Sequence, residues 1–287
     1  MTLSSSNFIK ALTWFILSLV VSCGNDAIMK YIGVRLSPWQ VAFFRCLFGT
    51  ITLLPLMFYQ RRGGMITQRP LLHLLRGGLL FVAVGLWNQG VQTSPITTAT
   101  LMSFTIPIFV LIMAAILLQE QVVWSVWLAT LLGFVGVVLV LKPEGNAWHL
   151  GSLSFVASAM LFSLLDIVNK KYVDQEPMLC MLFYPTLIAT VLTAWPAWGA
   201  WQPPTPTEIA WLLVLGIGSN LILYFILRAF SLVNASVLAP FRYLELPLSA
   251  SAGCILFQEF PSTHNYVGAS IIIPCTLFVV YHQSRKA

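Results

Sequence analysis

Apolar runs of about bilayer-crossing length recur along the whole chain, separated by short polar connections. A spanning helix needs about 20 mostly apolar residues, and no connection here is long enough to hold a folded domain. The first run is longer than a signal-peptide core, so it predicts an uncleaved span. The predicted spans are Phe8–Tyr31, Pro38–Gln60, Leu71–Val91, Pro95–Leu118, Val123–Leu141, Gly151–Tyr172, Met178–Trp198, Thr207–Phe230, Ser236–Phe257 and Tyr266–Tyr281.

Composition supports a membrane protein and excludes several other classes. The 287 residues are 58% hydrophobic and 8% charged, whereas ordinary soluble domains are about 25% charged. The net charge of +6 comes without a basic stripe, so we expect a lipid bilayer as partner and no nucleic acid. The five cysteines form no C-x-x-C pair and the histidines no H-E-x-x-H motif. The sequence therefore predicts no metal and no cofactor.

Lysine and arginine predict the orientation of the chain. With the N-terminus in the cytoplasm, the outer set contains only Lys30, Arg35 and Lys142. This asymmetry predicts that both termini are cytoplasmic, which requires an even number of spans. The inner set is Lys10, Arg61, Arg62, Arg69, Arg76, Lys170, Lys171, Arg285 and Lys286.

Two stretches, Asn25–Tyr31 and Leu165–Tyr172, each place an Asp-x-x-x-Lys inside a predicted span. Further matches occur at an offset of 139 residues, among them Gln119-Glu120 with Gln258-Glu259. Each half holds five spans, an odd number, so the second half enters the membrane inverted. The sequence predicts an all-α integral membrane fold of ten helices, with two inverted five-helix repeats (1–143 and 148–287) around a central cavity.

Ionisable side chains at membrane depth are the candidate functional residues. Each costs about 2.5–3.5 kcal/mol on insertion scales, so we expect these groups to face the interior and to be paired. The candidates are Asp26, Lys30, Arg45, Asp166, Lys170, Arg228, Arg242 and Glu245.

The i, i+4 spacing of Asp26 with Lys30, and of Asp166 with Lys170, leaves two interpretations open. Each pair neutralises itself on one helix face, with the lysines anchored near the span ends. Alternatively, the aspartates face the cavity and bind a cationic group. Glu120 and Glu259 end the fourth and ninth spans, where we expect them to cap or bridge helices; a gating role is the alternative.

The ninth span carries the strongest candidate for a binding site. Arg242 and Glu245 lie three residues apart between Pro240 and Pro247. Each proline removes a helix hydrogen bond. Freed carbonyls are tolerated in a membrane only within protein or beside a wet cavity. A structural Arg242–Glu245 bridge is the alternative interpretation.

The chain resembles the EamA-type branch of the drug/metabolite transporter superfamily in three features. These are the twin five-span units, the segment Phe43-Phe44-Arg45, and a proline about a dozen residues before each Gln-Glu pair. The resemblance covers the whole chain. It implies a secondary transporter in a bacterial inner membrane, and not an enzyme.

A narrower resemblance rests on Gly24–Asp26, Val41–Arg45, Leu165–Lys171 and Phe241–Glu245. These segments are similar to S-adenosylmethionine uptake transporters of bacteria that live inside host cells. The likeness implies import of S-adenosylmethionine, in exchange for S-adenosylhomocysteine.

Such a substrate needs anions for its ammonium or sulfonium group, a cation for its carboxylate, and an aromatic face for adenine. The residues assigned to these roles are Asp26, Asp166 and Glu245; Arg45, Arg228 and Arg242; and Trp87, Tyr184 and Tyr243, with Asn88 as a hydrogen-bonding partner.

The sequence leaves other functions open. Transport of another metabolite, such as an amino acid or a cationic drug, is the first alternative. The chain contains no G-x-x-x-x-G-K-[ST] loop, so we expect no ATP-driven pump. An intramembrane enzyme built on Asp26 and Asp166 is a remote alternative, because each acid is followed by its own lysine, which favours the ionised form.

Overall fold

The computed structural model describes residues 5–32, 35–59, 67–93, 102–141, 150–199, 201–257, 270–271, 273–274 and 277–278. All regular elements with assigned bounds in these ranges are helical. In chain order they are α1 (Ser5–Ile32), α2 (Pro38–Tyr59), α3 (Pro70–Thr93), α4 (Ile106–Leu117), α5 (Trp124–Leu141), α6 (Leu150–Tyr172), α7 (Met178–Trp198), α8 (Pro206–Leu232), α9 (Ala235–Leu238), a 3₁₀ segment (Ala239–Leu244) and α10 (Glu245–Phe257).

Six of the described helices are long and apolar enough to cross a membrane, namely α1, α2, α3, α6, α7 and α8. They coincide within a few residues with six predicted spans, and α7 has the predicted bounds Met178–Trp198. α4 and α5 are shorter apolar helices inside the fourth and fifth predicted spans. The tenth predicted span lies mostly outside the described residues. The described part is thus an all-helical, multi-pass membrane protein, and the count of ten spans stays a prediction.

Prolines begin several helices. Pro38, Pro70 and Pro206 are the first residues of α2, α3 and α8. A first-turn position suits proline because the N–H it lacks has no partner there in any case. At α8 a capping box completes the start, since the Thr205 hydroxyl accepts from Glu208 N–H while the Glu208 carboxylate accepts from Thr205 N–H.

The ninth predicted span is not one continuous α-helix. The four-residue α9 leads into a 3₁₀ segment, and a new helix, α10, begins at Glu245. Pro240 lies in the first turn of the 3₁₀ segment. Pro247 lies in the first turn of α10, where its missing N–H costs no intrahelical bond. The two prolines therefore bracket the change of helix type, and the 3₁₀ backbone presents Arg242 and Tyr243 outside a regular α-helical register.

Pairs of helices from the two halves of the sequence pack together. α1 lies along α8, α3 along α6, and α2 along α7, while α2 also contacts α8 and α3 contacts α7. Glycine allows the closest approaches: a Cβ on Gly216 would lie 2.7 Å from Gly49 N, and one on Gly77 would lie 2.6 Å from the Ile188 side chain. Between α2 and α7 the buried hydroxyls of Thr50 and Thr190 lie 3.3 Å apart.

The largest apolar core lies where α1, α4, α6, α8 and the segment 235–241 meet. Phe8 and Phe15 of α1 and Phe241 of the 3₁₀ segment are among its buried side chains. The rings of Phe8 and Phe241 are 6.3 Å apart. This core holds α1 against the broken ninth segment, and the polar groups described below line the same contact further along α1.

Candidate functional site

Glu245 is the first residue of α10 and contacts α1. The Ser22 hydroxyl donates a hydrogen bond of 2.8 Å to Glu245 Oε1. One residue on, the Cys23 thiol lies 3.9 Å from the Glu245 carbonyl oxygen. The break between the 3₁₀ segment and α10 puts this carboxylate at the front of a new helix, where its side chain reaches α1.

Asp26 lies one helical turn beyond Ser22, so both residues share a face of α1. The charges of Glu245 and Arg45 act on the Asp26 carboxylate. The Asp26 side chain is nevertheless exposed, and Arg45 on α2 is half-buried. A Cβ added to Gly24 would meet nothing within 4 Å. An accessible space therefore lies beside this part of α1, and we refer to Asp26 and Glu245 as the acid pair.

Asp166 and Arg242 form an ion pair between α6 and the 3₁₀ segment. Arg242 Nη2 lies 3.0 Å from Asp166 Oδ2, and the two side chains are 19% and 12% exposed. The cavity beside them holds only about 10 Å³, which is at the lower limit of the space that one water requires. Protein therefore fills the surroundings of this pair.

The i, i+4 spacing of Asp166 and Lys170 favours a pair within α6, but in the structure each side chain has a partner on another element. Lys170 Nζ donates to the Phe230 carbonyl of α8 at 2.5 Å. Likewise Arg242 bonds to Asp166, whereas Glu245 accepts from Ser22. Helix-to-helix packing gives these side chains partners on other elements, so neither local pair that was kept as an alternative, Asp166–Lys170 or Arg242–Glu245, is the contact observed.

Glu120 holds the start of α9. Its carboxylate accepts hydrogen bonds from Ala235 N at 3.1 Å, Ser236 N at 3.1 Å and Ser236 Oγ at 2.5 Å. Gln119, with a φ of 54°, turns the chain after α4 so that Glu120 faces α9. We refer to the contacts of Glu120, Lys170 and the Asp166–Arg242 pair as the end cluster. They join α6 to α8, and they join the chain after α4 and the C-terminal part of α6 to the segment 235–242.

Two predicted site residues lie apart from the acid pair. Arg228 is exposed on α8, where its guanidinium lies 5.3 Å from the Tyr224 ring and donates to the Tyr224 hydroxyl at 3.0 Å. Tyr184 lies 5.2 Å from the His73 ring and lines a cavity of about 320 Å³ between α3 and α7. The structure does not bring either side chain together with Asp26 and Glu245.

The other predicted site residues have mixed surroundings. Trp87 is half-buried and packs edge-on against Phe155 at 5.1 Å. Asn88 and Tyr243 are buried, and neither Asn88 Nδ2 nor the Tyr243 hydroxyl has a hydrogen-bond partner among the described residues. Tyr243 packs closely against α5, since a Cβ added to Gly133 would lie 2.5 Å from its ring. The side chain of Lys30, and all of Glu259, lie outside the described residues.

Sequence reasoning missed two polar contacts. Ser22 carries no signal in the sequence, because a lone serine in an apolar helix is common. The buried Arg76 was used only for orientation, although it donates to Asn169 Oδ1 at 2.8 Å and to the Met181 carbonyl at 2.9 Å. Its position inside the third span was a signal for a buried polar contact. Arg76 joins α3 to α6 and α7.

The chemistry available to this arrangement is binding of charged groups. Within the described ranges, no three His, Cys, Asp or Glu side chains come together as a metal site requires. Membrane-length helices that enclose an exposed acid, a nearby arginine and cross-linked ion pairs are typical of proteins that move polar solutes through a bilayer. Fold and site together define the class of membrane transporters.

Comparison with known families identifies the particular family of transporters. The sequence model of the EamA-like transporter family matches residues 9–142 and again residues 149–281. The chain therefore belongs to the EamA-like transporter family, which confirms the predicted family and favours a transporter over the enzyme alternative.

Individual relatives extend this comparison. The S-adenosylmethionine uptake transporter of Rickettsia felis is 45% identical over 278 residues, which cover 97% of this chain and 95% of the relative. The riboflavin transporter of Vibrio cholerae is 28% identical over 268 residues, 91% of this chain and 90% of the relative. A protein of known crystal structure superposes with a TM-score of 0.79 and 16% identity, covering 98% of this chain and 99% of that one. The last similarity concerns the fold alone.

Proposed function

We propose that this protein is a secondary transporter that brings S-adenosylmethionine into the cell by alternating access, in exchange for S-adenosylhomocysteine. The observation that carries the substrate is the 45% identity, over 97% of the chain, to a transporter of that name. The acid pair and Arg45 agree with it, because this substrate carries two cationic groups and one carboxylate.

The architecture we propose is ten helices in two inverted repeats, 1–143 and 148–287. The two matches to the family model support this division. Exchanging the halves converts α1 to α6, α2 to α7 and α3 to α8. Under this exchange the α1–α8 contact corresponds to the α3–α6 contact, and the α2–α8 contact corresponds to the α3–α7 contact. The α2–α7 contact corresponds to itself, so each of these contacts has its counterpart in the structure. Gly77 and Gly216, at the two close crossings, are 139 residues apart.

The orientation we propose puts both termini in the cytoplasm and the chain in the bacterial inner membrane. The end cluster then lies on the cytoplasmic side, where α6 and α8 end. The acid pair lies further outward along α1. Cross-linked contacts at the inner end and an exposed Asp26 are the features of a carrier closed to the cytoplasm and open to the outside. Alternating access requires the end cluster to separate when the substrate is released inward.

Substrate groups are assigned to this space by charge. The acid pair takes the ammonium and the sulfonium, and Arg45 takes the carboxylate, which guanidinium binds well. Trp87 and Asn88, near the outer end of α3, are the proposed contacts of adenine. Arg228 and Tyr184 are left out of this assignment because they lie apart from the acid pair, and Tyr243 is left out because its buried ring packs against α5.

Uptake of radiolabelled S-adenosylmethionine into bacterial cells that express the protein tests the proposal. We expect accumulation above empty-vector cells, and its loss in Glu245→Gln at equal membrane abundance. Glu208→Gln is the matched control, because Glu208 is an acid at the outer end of α8 whose carboxylate is paired with Arg35. No accumulation with the protein present in the membrane would refute the assigned substrate.

Counterflow in proteoliposomes tests the exchange. Vesicles loaded with S-adenosylhomocysteine are expected to take up labelled S-adenosylmethionine faster than empty vesicles. The similarity to a riboflavin transporter favours one second candidate, a flavin substrate. Competition by unlabelled riboflavin, with no competition by S-adenosylhomocysteine, would support that candidate instead.

A further inference from the structure

Ser22 makes a contact that differs from that of its neighbour in the same helix. Serine inside a helix commonly bonds to a carbonyl of the preceding turn, and Ser18 does so, donating to the Phe15 carbonyl at 2.6 Å. Ser22 instead donates across to α10, to the carboxylate of Glu245 at 2.8 Å. The sequence separation of the two partners is 223 residues, so only the tertiary structure creates this bond.

The charged groups that act on Glu245 come from two elements, α1 and the 3₁₀ segment. Asp26 of α1 has the same charge sign, and Arg242 of the 3₁₀ segment is engaged by Asp166 at 3.0 Å. Arg45 of α2 acts on Asp26. Among the side chains that the structure describes, Ser22 is the direct hydrogen-bond partner of the Glu245 carboxylate. The hydroxyl therefore fixes one carboxylate oxygen and leaves the second for a ligand.

A sulfonium centre has no N–H or O–H, so a protein recognises its charge and not a hydrogen bond. The neutral thioether of otherwise identical shape lacks that charge. Discrimination between the two therefore depends on where a nearby negative charge is held, because Coulomb energy falls with distance and is larger away from bulk water. A difference in affinity between two ligands is what specificity measures.

We propose that Ser22 is a specificity-determining positioning residue, which holds the Glu245 carboxylate so that the site prefers a sulfonium substrate over its neutral thioether counterpart. The inference rests on the proposed function, because it presupposes that S-adenosylmethionine occupies this space.

The test compares two ligands on purified full-length protein in detergent. Unlabelled S-adenosylmethionine and S-adenosylhomocysteine compete against tritiated S-adenosylmethionine, and the ratio of their dissociation constants is the readout. We expect Ser22→Ala to weaken S-adenosylmethionine binding about tenfold, the order expected for a lost hydrogen bond to a charged group, and S-adenosylhomocysteine binding less than twofold. Ser22→Thr, which keeps the hydroxyl, is expected to retain the wild-type ratio. Ser18→Ala is the matched control and is expected to leave it unchanged.

The outcomes separate this inference from the proposed function. An unchanged ratio in Ser22→Ala, an equal loss for both ligands, or a Ser22→Thr ratio as low as that of Ser22→Ala would overturn the inference while leaving S-adenosylmethionine as the substrate. Wild-type protein that binds neither ligand would overturn both. If Ser22→Ala does not fold, Glu245→Asp replaces it, because the shorter side chain draws the carboxylate away from Ser22. A wild-type ratio in Glu245→Asp would then overturn the inference.

Discussion

Replacing Glu120 by glutamine tests the contact that holds the start of α9. The wild-type carboxylate accepts three hydrogen bonds, from Ala235 N, Ser236 N and Ser236 Oγ. Glutamine has nearly the same shape but only one accepting oxygen, and its NH₂ group can only donate. If the amide oxygen stays with Ser236, the NH₂ group faces the Ala235 N–H and that bond is lost.

The loss of local stability at the start of α9 is set by the hydrogen bond to Ala235 N that disappears. A hydrogen bond to a charged group contributes about 1.5–3 kcal/mol. Glu120 is half-buried, so solvent compensates part of the loss and the lower end of that range applies. Since 1.4 kcal/mol corresponds to a factor of ten, local opening at Ala235 and Ser236 should become about tenfold more frequent.

Amide hydrogen exchange followed by mass spectrometry measures this opening directly, because exchange reports local unfolding free energies. Peptides that cover residues 230–246 are expected to exchange about tenfold faster at their α9 amides in Glu120→Gln. Glu208→Gln is the matched control, since Glu208 accepts from Thr205 N at the start of α8. It should accelerate exchange at Thr205 and leave α9 unchanged. Wild-type exchange at α9 in Glu120→Gln would refute the view that this carboxylate holds the segment.

Two further variants test packing and ion pairing. Gly216→Ala puts a Cβ 2.7 Å from a backbone nitrogen of α2, so we expect stability to fall by about 1–3 kcal/mol. The midpoint of thermal unfolding in detergent should fall accordingly. Gly24→Ala, with open space around the added Cβ, is the control, and its unfolding midpoint should match or exceed that of wild type. Asp166→Asn removes the partner of Arg242, 3.0 Å away, and should destabilise the protein by about 1.5–3 kcal/mol. Adding Arg242→Gln should recover part of that loss, whereas strictly additive effects in this double-mutant cycle would show that the pair is not coupled.

The sequence anticipated much of the helix layout because the length of an apolar run is a local property. α7 has its predicted bounds, Met178–Trp198, and α2 begins at the predicted Pro38. The break in the ninth span was also visible, since Pro240 and Pro247 bracket it. Each of these features depends on residues that are close together in the chain.

The candidate site was only partly visible for the opposite reason. Asp26, Arg242 and Glu245 were identified from their depth in apolar runs, because a buried charge is costly wherever it lies. Their partners were not identified, and the same criterion of depth also selected Arg228, which the structure places against Tyr224 on α8, apart from the acid pair. Depth in a span says nothing about which face of a helix points inward.

By itself, then, the order of residues determined that this chain is an all-helical membrane protein with charges it must pair, since hydrophobic length and buried charge are properties of short segments. Only the tertiary structure decided that Asp166 bonds to Arg242, 76 residues away, and that Glu245 bonds to Ser22 on the first helix. Such bonds join side chains across helix contacts, and the choice among partners depends on how the helices pack, which no local pattern encodes.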